Sequence, residues 1–299
     1  MRDAAKEMLL SAGAILIPTV LLWCSQWTTV LNAASIAPVE QQTEQITIRD
    51  DEDDPEVWAT ANSFERAPTP ENTRQAFRIL DEKLGDWAAH PAGVITTILH
   101  AIGDHRVQGG RQYLIRFLLT DPGKSSSGYL ASIAALALGD LGGQGALEAL
   151  QKAVAQRADE AIPSVAVALG MLKEPGAVPA LEALAQYPDA SVRRRALSAL
   201  ENYCAPTTRV LTLHALSDDD AGVRNAATWW LAACGTYQDG SYLAQQLTDS
   251  EPLVRSNALK GLTRLKSRAG CTSLRRLLVD ESLTVREGAE AYKAVCKDT

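Results

Sequence analysis

Cysteine and histidine are the residue types through which this sequence could carry out covalent or metal chemistry. The chain holds five cysteines and four histidines among 299 residues. The histidines are His90, His100, His105 and His214. They form no His-Glu-x-x-His pattern, and the sequence contains neither Cys-x-x-Cys nor Gly-x-Ser-x-Gly, the spacings that bring ligands or a nucleophile together. We therefore expect no catalytic residue, no metal site and no cofactor.

A short repeated unit between residues 189 and 289 provides the elements that would position any site. A Val-Arg pair recurs at 192–193, 223–224, 254–255 and 285–286, so the residue number rises by the same 31 each time. In the third copy, the apolar residues that follow one helix face are Val254, Ala258, Leu262 and Leu265. A fixed step of this length predicts an all-α solenoid, in which helix pairs stack side by side.

The arginine of each unit lies near an acidic turn that recurs at the same step, at Asp218, Asp249 and Asp280. An anion-binding site is one interpretation of the column formed by Arg193, Arg224, Arg255 and Arg286. We favour a structural one, in which each arginine ties one repeat to the next. Asp189, Asp220 and Ser282, three residues before their valines, are suited to cap the helices, whereas Glu251 caps poorly.

The Val-Arg pairs, the alanine that follows them and the Leu-Gly element of residues 138–139 and 169–170 resemble HEAT-like repeats of the phycobilisome-lyase type. The resemblance covers roughly residues 91–297 and is strongest from residue 159 on. It implies an α-solenoid of about six helix pairs, with the Val-Arg helices on the concave side. The shared motifs are structural and occur with many functions. A bilin-lyase-like enzyme or chaperone is one alternative function that this resemblance offers.

Four of the cysteines indicate disulfide chemistry, because each lies near the turn after a Val-Arg helix and hence on one edge of the stack. Pairs Cys204–Cys234 and Cys271–Cys296 would link adjacent repeats in an oxidising compartment. Four buried free thiols are the alternative. We favour the disulfides.

The side chains two and six residues after each valine are expected to point away from the stack on the concave side. Trp229 is the only large aromatic residue at these positions. Because tryptophan is enriched among the residues that dominate protein interfaces, we predict a partner-binding patch of Arg194, Asn225, Trp229, Lys260 and Arg264. Packing of Trp229 on a neighbouring helix beside Trp230 is the alternative.

The N-terminal region predicts a membrane anchor. Residues 8–39 contain no charged side chain, and residues 8–31 are apolar over a length that can span a bilayer. Positive charges precede this segment and acidic ones follow it, which favours an N-in orientation. We expect residues 1–7 in the cytoplasm, a transmembrane helix at 8–31, an acidic linker at 32–68 and the solenoid at 69–299. A cleaved signal peptide is the alternative.

Composition narrows the function. The net charge of −7 argues against a nucleic-acid partner, and 46% hydrophobic but only 5% aromatic residues suit stacked helices. We therefore expect a scaffold without catalytic activity in the inner membrane, with its solenoid in the periplasm. Its partners would be the other protein subunits of a membrane complex, in which it would be an accessory or assembly subunit. Membrane lipid would surround residues 8–31. A soluble periplasmic or secreted binding protein is the alternative.

Overall fold

The computed structural model describes residues 54–86, 90–120, 127–156 and 160–297. These residues form helices joined by turns, and no β-strand occurs among them. The α-helices are α1 Pro55–Arg66, α2 Pro70–Gly85, α3 Ala92–Asp104, α4 Arg111–Leu118, α5 Ser127–Leu141, α6 Ala146–Ala155, α7 Ile162–Leu172, α8 Val178–Leu184, α9 Ala190–Leu200, α10 Thr208–Ala215, α11 Ala221–Cys234, α12 Gly240–Gln246, α13 Pro252–Arg264, α14 Leu274–Leu277 and α15 Leu283–Cys296. Short 3-10 helices precede four of them, at Gln108–Gly110, Pro175–Ala177, Tyr237–Asp239 and Arg268–Ser273.

The helices form two layers. The odd-numbered helices α1 to α15 make up the first, here named the Val-Arg layer, and each packs against the next along the array. From α4 on, the even-numbered helices mainly contact the odd-numbered helix that follows them. Successive helices of the Val-Arg layer pack directly on one another, which is the arrangement of an α-solenoid.

Small residues allow this close packing in the Val-Arg layer. A Cβ atom on Gly139 would lie 2.9 Å from the Cα of Ala168 in the next helix. A Cβ atom on Gly170 would lie 3.2 Å from the Cα of Ala199. The Leu-Gly element of the repeat is thus explained by the crossing points, where a side chain would push neighbouring helices apart.

The helix starts follow the predicted capping pattern with one difference. The carboxylates of Asp189 and Asp220 accept backbone N–H bonds from the first turns of α9 and α11. Glu251 makes no side-chain cap, as expected. Ser282 makes none either, since its hydroxyl instead pairs with that of Thr284 at 2.9 Å.

The helical array begins earlier than the sequence indicated. Residues 55–66, which we assigned to the acidic linker, form α1. The Phe64 side chain is 0% exposed, and its ring meets that of Phe77 edge-on with centroids 6.3 Å apart. The predicted start of α2 is confirmed, because the Thr69 hydroxyl accepts the backbone N–H of Asn72. We assigned these residues to a linker because of their acidic composition, although they form an amphipathic helix.

The predicted inner-membrane location, single-pass and N-in with a periplasmic solenoid, is wrong. No helix in the described ranges has the length and the apolar content needed to cross a bilayer. A span needs about 20 mostly apolar residues. The longest helix described, α2, has 16 residues and mixes charged with apolar side chains. The predicted anchor at 8–31 lies outside the described residues, as do residues 1–7 and residues 32–53 of the linker.

Candidate protein-binding groove

The arginine column is structural, as the sequence indicated. Arg193 donates from Nε and Nη2 to the two carboxylate oxygens of Asp218, at 2.9 and 2.8 Å. Its Nη1 donates to the carbonyl oxygens of Tyr187 and Pro188. The same arrangement recurs in the ion pairs Arg224–Asp249 and Arg255–Asp280. Each of these three arginines therefore holds the turn before its own helix and the acidic turn of the next repeat. Arg286, the last of the column, bonds among the described residues only to the carbonyl oxygens of Asp280 and Glu281 in the turn before its helix.

These ion pairs keep the aspartates charged. The hydrogen bond from Arg193 lowers the pKa of Asp218 below its usual range. Burial by itself would raise the pKa of Asp249, but hydrogen bonds from Arg224 and the backbone outweigh it, so that the pKa of this carboxyl is lowered. Asp280 behaves in the same way, with its pKa also lowered. The carboxylates of these turns are therefore ionised and bound to arginines of the fold.

Trp229 lies on α11, on the open face of the Val-Arg layer, and is 39% exposed. Its indole Nε1–H donates to Oε2 of Glu201 at 2.6 Å, and Nζ of Lys260 lies 5.5 Å from the ring centroid. The adjacent Trp230 is buried and donates to the carbonyl oxygen of Leu200. Trp230 is therefore the core residue of the pair, and Trp229 is held at the surface.

A chain of polar contacts connects α11 and α13 beside this tryptophan. The Asn257 amide nitrogen donates to the Asn225 amide oxygen at 2.9 Å. The Lys260 ammonium donates to the Asn257 amide oxygen at 3.4 Å. Lys260 is thus placed by both Asn257 and the face of Trp229, which fixes a positive charge at the surface.

Two clefts open on this face and share Arg194 and Ser198. The first, of about 560 Å³, combines apolar and cationic lining residues, among them Val167, Met171, Ala199, Lys173, Arg194 and Arg195. The second, of about 320 Å³, reaches Asn225, Trp229 and Asn257. Because they share two residues, the clefts form one groove across α7, α9, α11 and α13, here named the Trp229 groove.

The structure brings together four of the five residues that we predicted for partner binding: Arg194, Asn225, Trp229 and Lys260. Arg264 lies elsewhere, at the C-terminal end of α13. Its Nε and Nη2 donate to the carbonyl oxygens of Ala232 and Gly235. The last carbonyls of a helix lack intrahelical partners, and the Arg264 guanidinium bonds to that of Ala232 and to that of Gly235 just after α11.

One position expected to point outward does not. Ser256, two residues after its valine, is 3% exposed, and its hydroxyl donates to the carbonyl oxygen of Thr284 at 3.5 Å. The equivalent Asn225 is half-buried and Arg194 is exposed. The equivalent residue of the last repeat, Glu287, is exposed again, so Ser256 is a local exception.

Three residues in or beside the groove were not predicted from the sequence: Lys173 and Arg195, which line the first cleft, and Glu201, which bonds to Trp229. Glu201 stands where the two preceding repeats have Gly139 and Gly170, at the same repeat step. This break in the Leu-Gly element could have singled out Glu201 from the sequence, because a long acidic side chain does not fit between closely packed helices and has to reach a polar partner outside them. It extends to Trp229.

The structure pairs the cysteines as the sequence indicated. The Sγ atoms of Cys204 and Cys234 lie 1.90 Å apart, and those of Cys271 and Cys296 lie 2.01 Å apart. The first pair joins the segment after α9 to the end of α11, and the second joins the segment after α13 to the end of α15. Both pairs bridge adjacent repeats. Cys24 lies outside the described residues.

The histidine and acidic side chains do not converge on a metal centre in the part of the chain that the structure describes. No group of three or more His, Cys, Asp or Glu residues there could hold an ion. The ring Nε2 of His90 meets a single carboxylate, that of Glu82, at 2.7 Å.

Comparison with known proteins agrees with this architecture. Residues 113–201 and 164–232 match the family model described as HEAT repeats. Residues 113–232 therefore carry HEAT repeats. The predicted all-α solenoid is thereby confirmed for the described residues. The transmembrane helix predicted before it is not found among them.

Solved structures show the same fold as the HEAT-repeat array. The Escherichia coli protein YibA superposes with a TM-score of 0.54 and 19% identity, covering 79% of this chain and 85% of that one. An engineered protein gives a TM-score of 0.51 at 19% identity over 80% of this chain and 68% of that one. Identities this low establish the fold alone.

The complex of CpcE and CpcF of phycocyanin lyase from Nostoc sp. PCC7120 is also similar to the HEAT-repeat array. Its TM-score is 0.45 at 19% identity, over 73% of this chain and 94% of that one. A similarity at this level carries no argument about activity. No curated protein matches the sequence significantly.

Proposed function

We propose that this HEAT-repeat protein is a binding scaffold that holds a segment of another protein in the Trp229 groove, and that it acts by binding and not by catalysis. The observation that carries the proposal is the state of Trp229. A large aromatic side chain is 39% exposed at the groove and is fixed there from two sides, by Glu201 and Lys260.

Fixing an exposed tryptophan in advance favours binding. Association costs about 0.5–1.5 kcal/mol for each rotamer-rich side chain that must be immobilised. The hydrogen bond from Nε1 to Glu201 already orders the Trp229 side chain in the free protein. A partner can therefore contact the indole with little further loss of side-chain entropy, which is typical of an interface anchor.

The solenoid supplies the rest of the surface. Its groove runs across four successive helices of one layer, so a bound segment contacts several repeats at once. A protein that presents such a surface is suited to the role of an accessory or assembly subunit, which holds a partner in place within a larger protein complex.

Site-specific photo-crosslinking in the native host tests this proposal. A benzophenone amino acid would replace Ser198, which is exposed between the two clefts, or Val210, which is exposed in the second layer. We expect a discrete protein adduct from position 198, little from position 210, and loss of the adduct when Trp229→Ala is added. Equal adducts from both layers, or an adduct that Trp229→Ala leaves unchanged, would contradict a partner in the groove.

A further inference from the structure

We infer that the partner segment is an extended, acidic peptide about eight residues long that carries an aliphatic side chain between its carboxylates. This inference rests on the proposed function and names the chemistry of what the Trp229 groove binds. It is carried by three unpaired cations, by the absence of acids from the groove lining, and by the apolar residues beneath the cations.

The cations of the first cleft are not used by the fold. Lys173, Arg194 and Arg195 are exposed, and none of their side chains forms a hydrogen bond or ion pair with another residue in the described part of the chain. The contrast with Arg193 is direct, because that neighbouring guanidinium is bound to Asp218 and to two carbonyl oxygens. Guanidinium groups bind carboxylates through two parallel hydrogen bonds, so Arg194 and Arg195 offer two ready carboxylate contacts.

The residues described as lining the two clefts include no aspartate or glutamate. The Glu201 carboxylate beside Trp229 keeps its negative charge while it accepts the indole N–H, but the three cations of the first cleft outnumber it. In a chain of net charge −7, a cleft with three cations and no acids is a local positive field that attracts negatively charged segments.

The apolar part of the cleft selects against a ligand that is merely anionic. Val167 and Met171 are half-buried and Ala199 is buried, and all three line the same cleft as the cations. An aliphatic side chain buried there gains apolar contact that a purely anionic ligand lacks. Nucleic acid lacks such a side chain and is bound by longer basic surfaces, whereas the cations here surround one cleft.

The length of the segment follows from helix spacing. Packed helices lie roughly 8–10 Å apart, so the three spacings from α7 to α13 span about 27 Å. An extended peptide rises about 3.3 Å per residue and covers this distance with about eight residues. Its acidic end would meet Arg194 and Arg195, and its other end would reach Trp229 and Lys260.

Fluorescence anisotropy with labelled octapeptides tests the inference. The probes share one sequence with a central leucine and carry Glu, Gln or Lys at four positions; an eight-nucleotide single-stranded DNA is the fourth probe. We expect the Glu peptide to bind at least about tenfold more tightly than the Gln peptide, with an affinity that falls as salt is raised. Equal binding of the Glu and Gln peptides, or tighter binding of the Lys peptide or the DNA, would overturn the inference.

A pair of double variants locates the charge effect. Arg194→Ser with Arg195→Ser removes two cations from the groove, and Lys152→Ser with Arg275→Ser removes two exposed cations from the second layer. We expect the first variant to reduce affinity for the Glu peptide to that for the Gln peptide, and the second to change it less than about twofold. An equal loss in both variants would assign the effect to net charge and refute the groove as its site.

The two proposals fail in different ways. Crosslinking from position 198 that depends on Trp229, together with no preference among the peptides, would refute the acidic segment and leave the scaffold standing. Absence of any crosslink from position 198 would refute the scaffold itself.

Discussion

Arg224 and Asp249 share two parallel hydrogen bonds of 2.7 and 3.0 Å across a repeat boundary. The Asp249 carboxylate also accepts the backbone N–H of Glu251, and its carbonyl oxygen accepts a bond from Arg255. The Asp249 side chain is only 8% exposed. One residue is thus bonded to three others, and the loss of its charge would leave a buried guanidinium without its counterion.

We expect Asp249→Asn to lower the free energy of unfolding by about 3 kcal/mol, because removing one member of a buried ion pair leaves the other uncompensated. Urea unfolding at pH 7 measures the effect. Asp219→Asn is the matched control, since Asp219 is an exposed aspartate on the preceding turn, and it should cost less than about 0.5 kcal/mol. Similar losses in both variants would show that the ion pair contributes nothing beyond the general effect of removing an acid.

The same ion pair makes stability depend on pH. The folded-state pKa of Asp249 is lowered, whereas an unfolded aspartate has a pKa of about 3.9. The stabilisation is therefore complete above pH 5 and is lost as pH falls through the folded-state pKa. We expect the difference in unfolding free energy between wild type and Asp249→Asn to stay constant from pH 7 to pH 5 and to shrink below pH 4. A difference that grows on acidification would contradict the assignment.

Trp229 and Trp230 are neighbours with opposite roles. Trp230 is buried, so Trp230→Ala should cost about 3–5 kcal/mol of unfolding free energy through loss of buried surface and creation of a cavity. Trp229→Ala should cost less than about 1 kcal/mol, since it removes one exposed hydrogen bond and a cation–π contact. Thermal and urea unfolding of both variants measure this. A Trp229→Ala loss as large as that of Trp230→Ala would assign Trp229 to the core.

The cysteine pairs give a prediction about covalent structure. Proteolysis of the alkylated, unreduced protein should yield two linked peptide pairs, Cys204 with Cys234 and Cys271 with Cys296, by mass spectrometry. Replacing Cys204 and Cys234 together by Ser should then lower the free energy of unfolding by about 3 kcal/mol, the usual value for a loop of this length. Alkylation of all four thiols before reduction would show that they are free.

The repeat array and its arginine ladder were predictable because both depend on features that recur at a fixed step. A single valine or arginine carries little information, but four copies at one constant step specify helix, face and register together. The first helix was missed because it is not a copy of the unit, and because its apolar residues, among them Val57, Trp58 and Phe64, lie in an acidic stretch.

Periodicity grouped the residues of the predicted patch only in part, for a related reason. Periodicity specifies which helix face a residue occupies, and it correctly grouped Arg194, Asn225 and Trp229. It does not specify how far a long side chain reaches. Arg264 therefore appeared to be a groove residue although it bonds to the end of α11, and Glu201 was overlooked although it holds Trp229.

The two cysteine pairs divide the C-terminal array into covalently joined blocks. One pair unites the repeats of α9 and α11, the other those of α13 and α15, and no disulfide crosses the boundary from α11 to α13 in the described part of the chain. Under a lengthwise pull, extension in this half would concentrate at that boundary, where Trp229 of α11 faces Lys260 of α13.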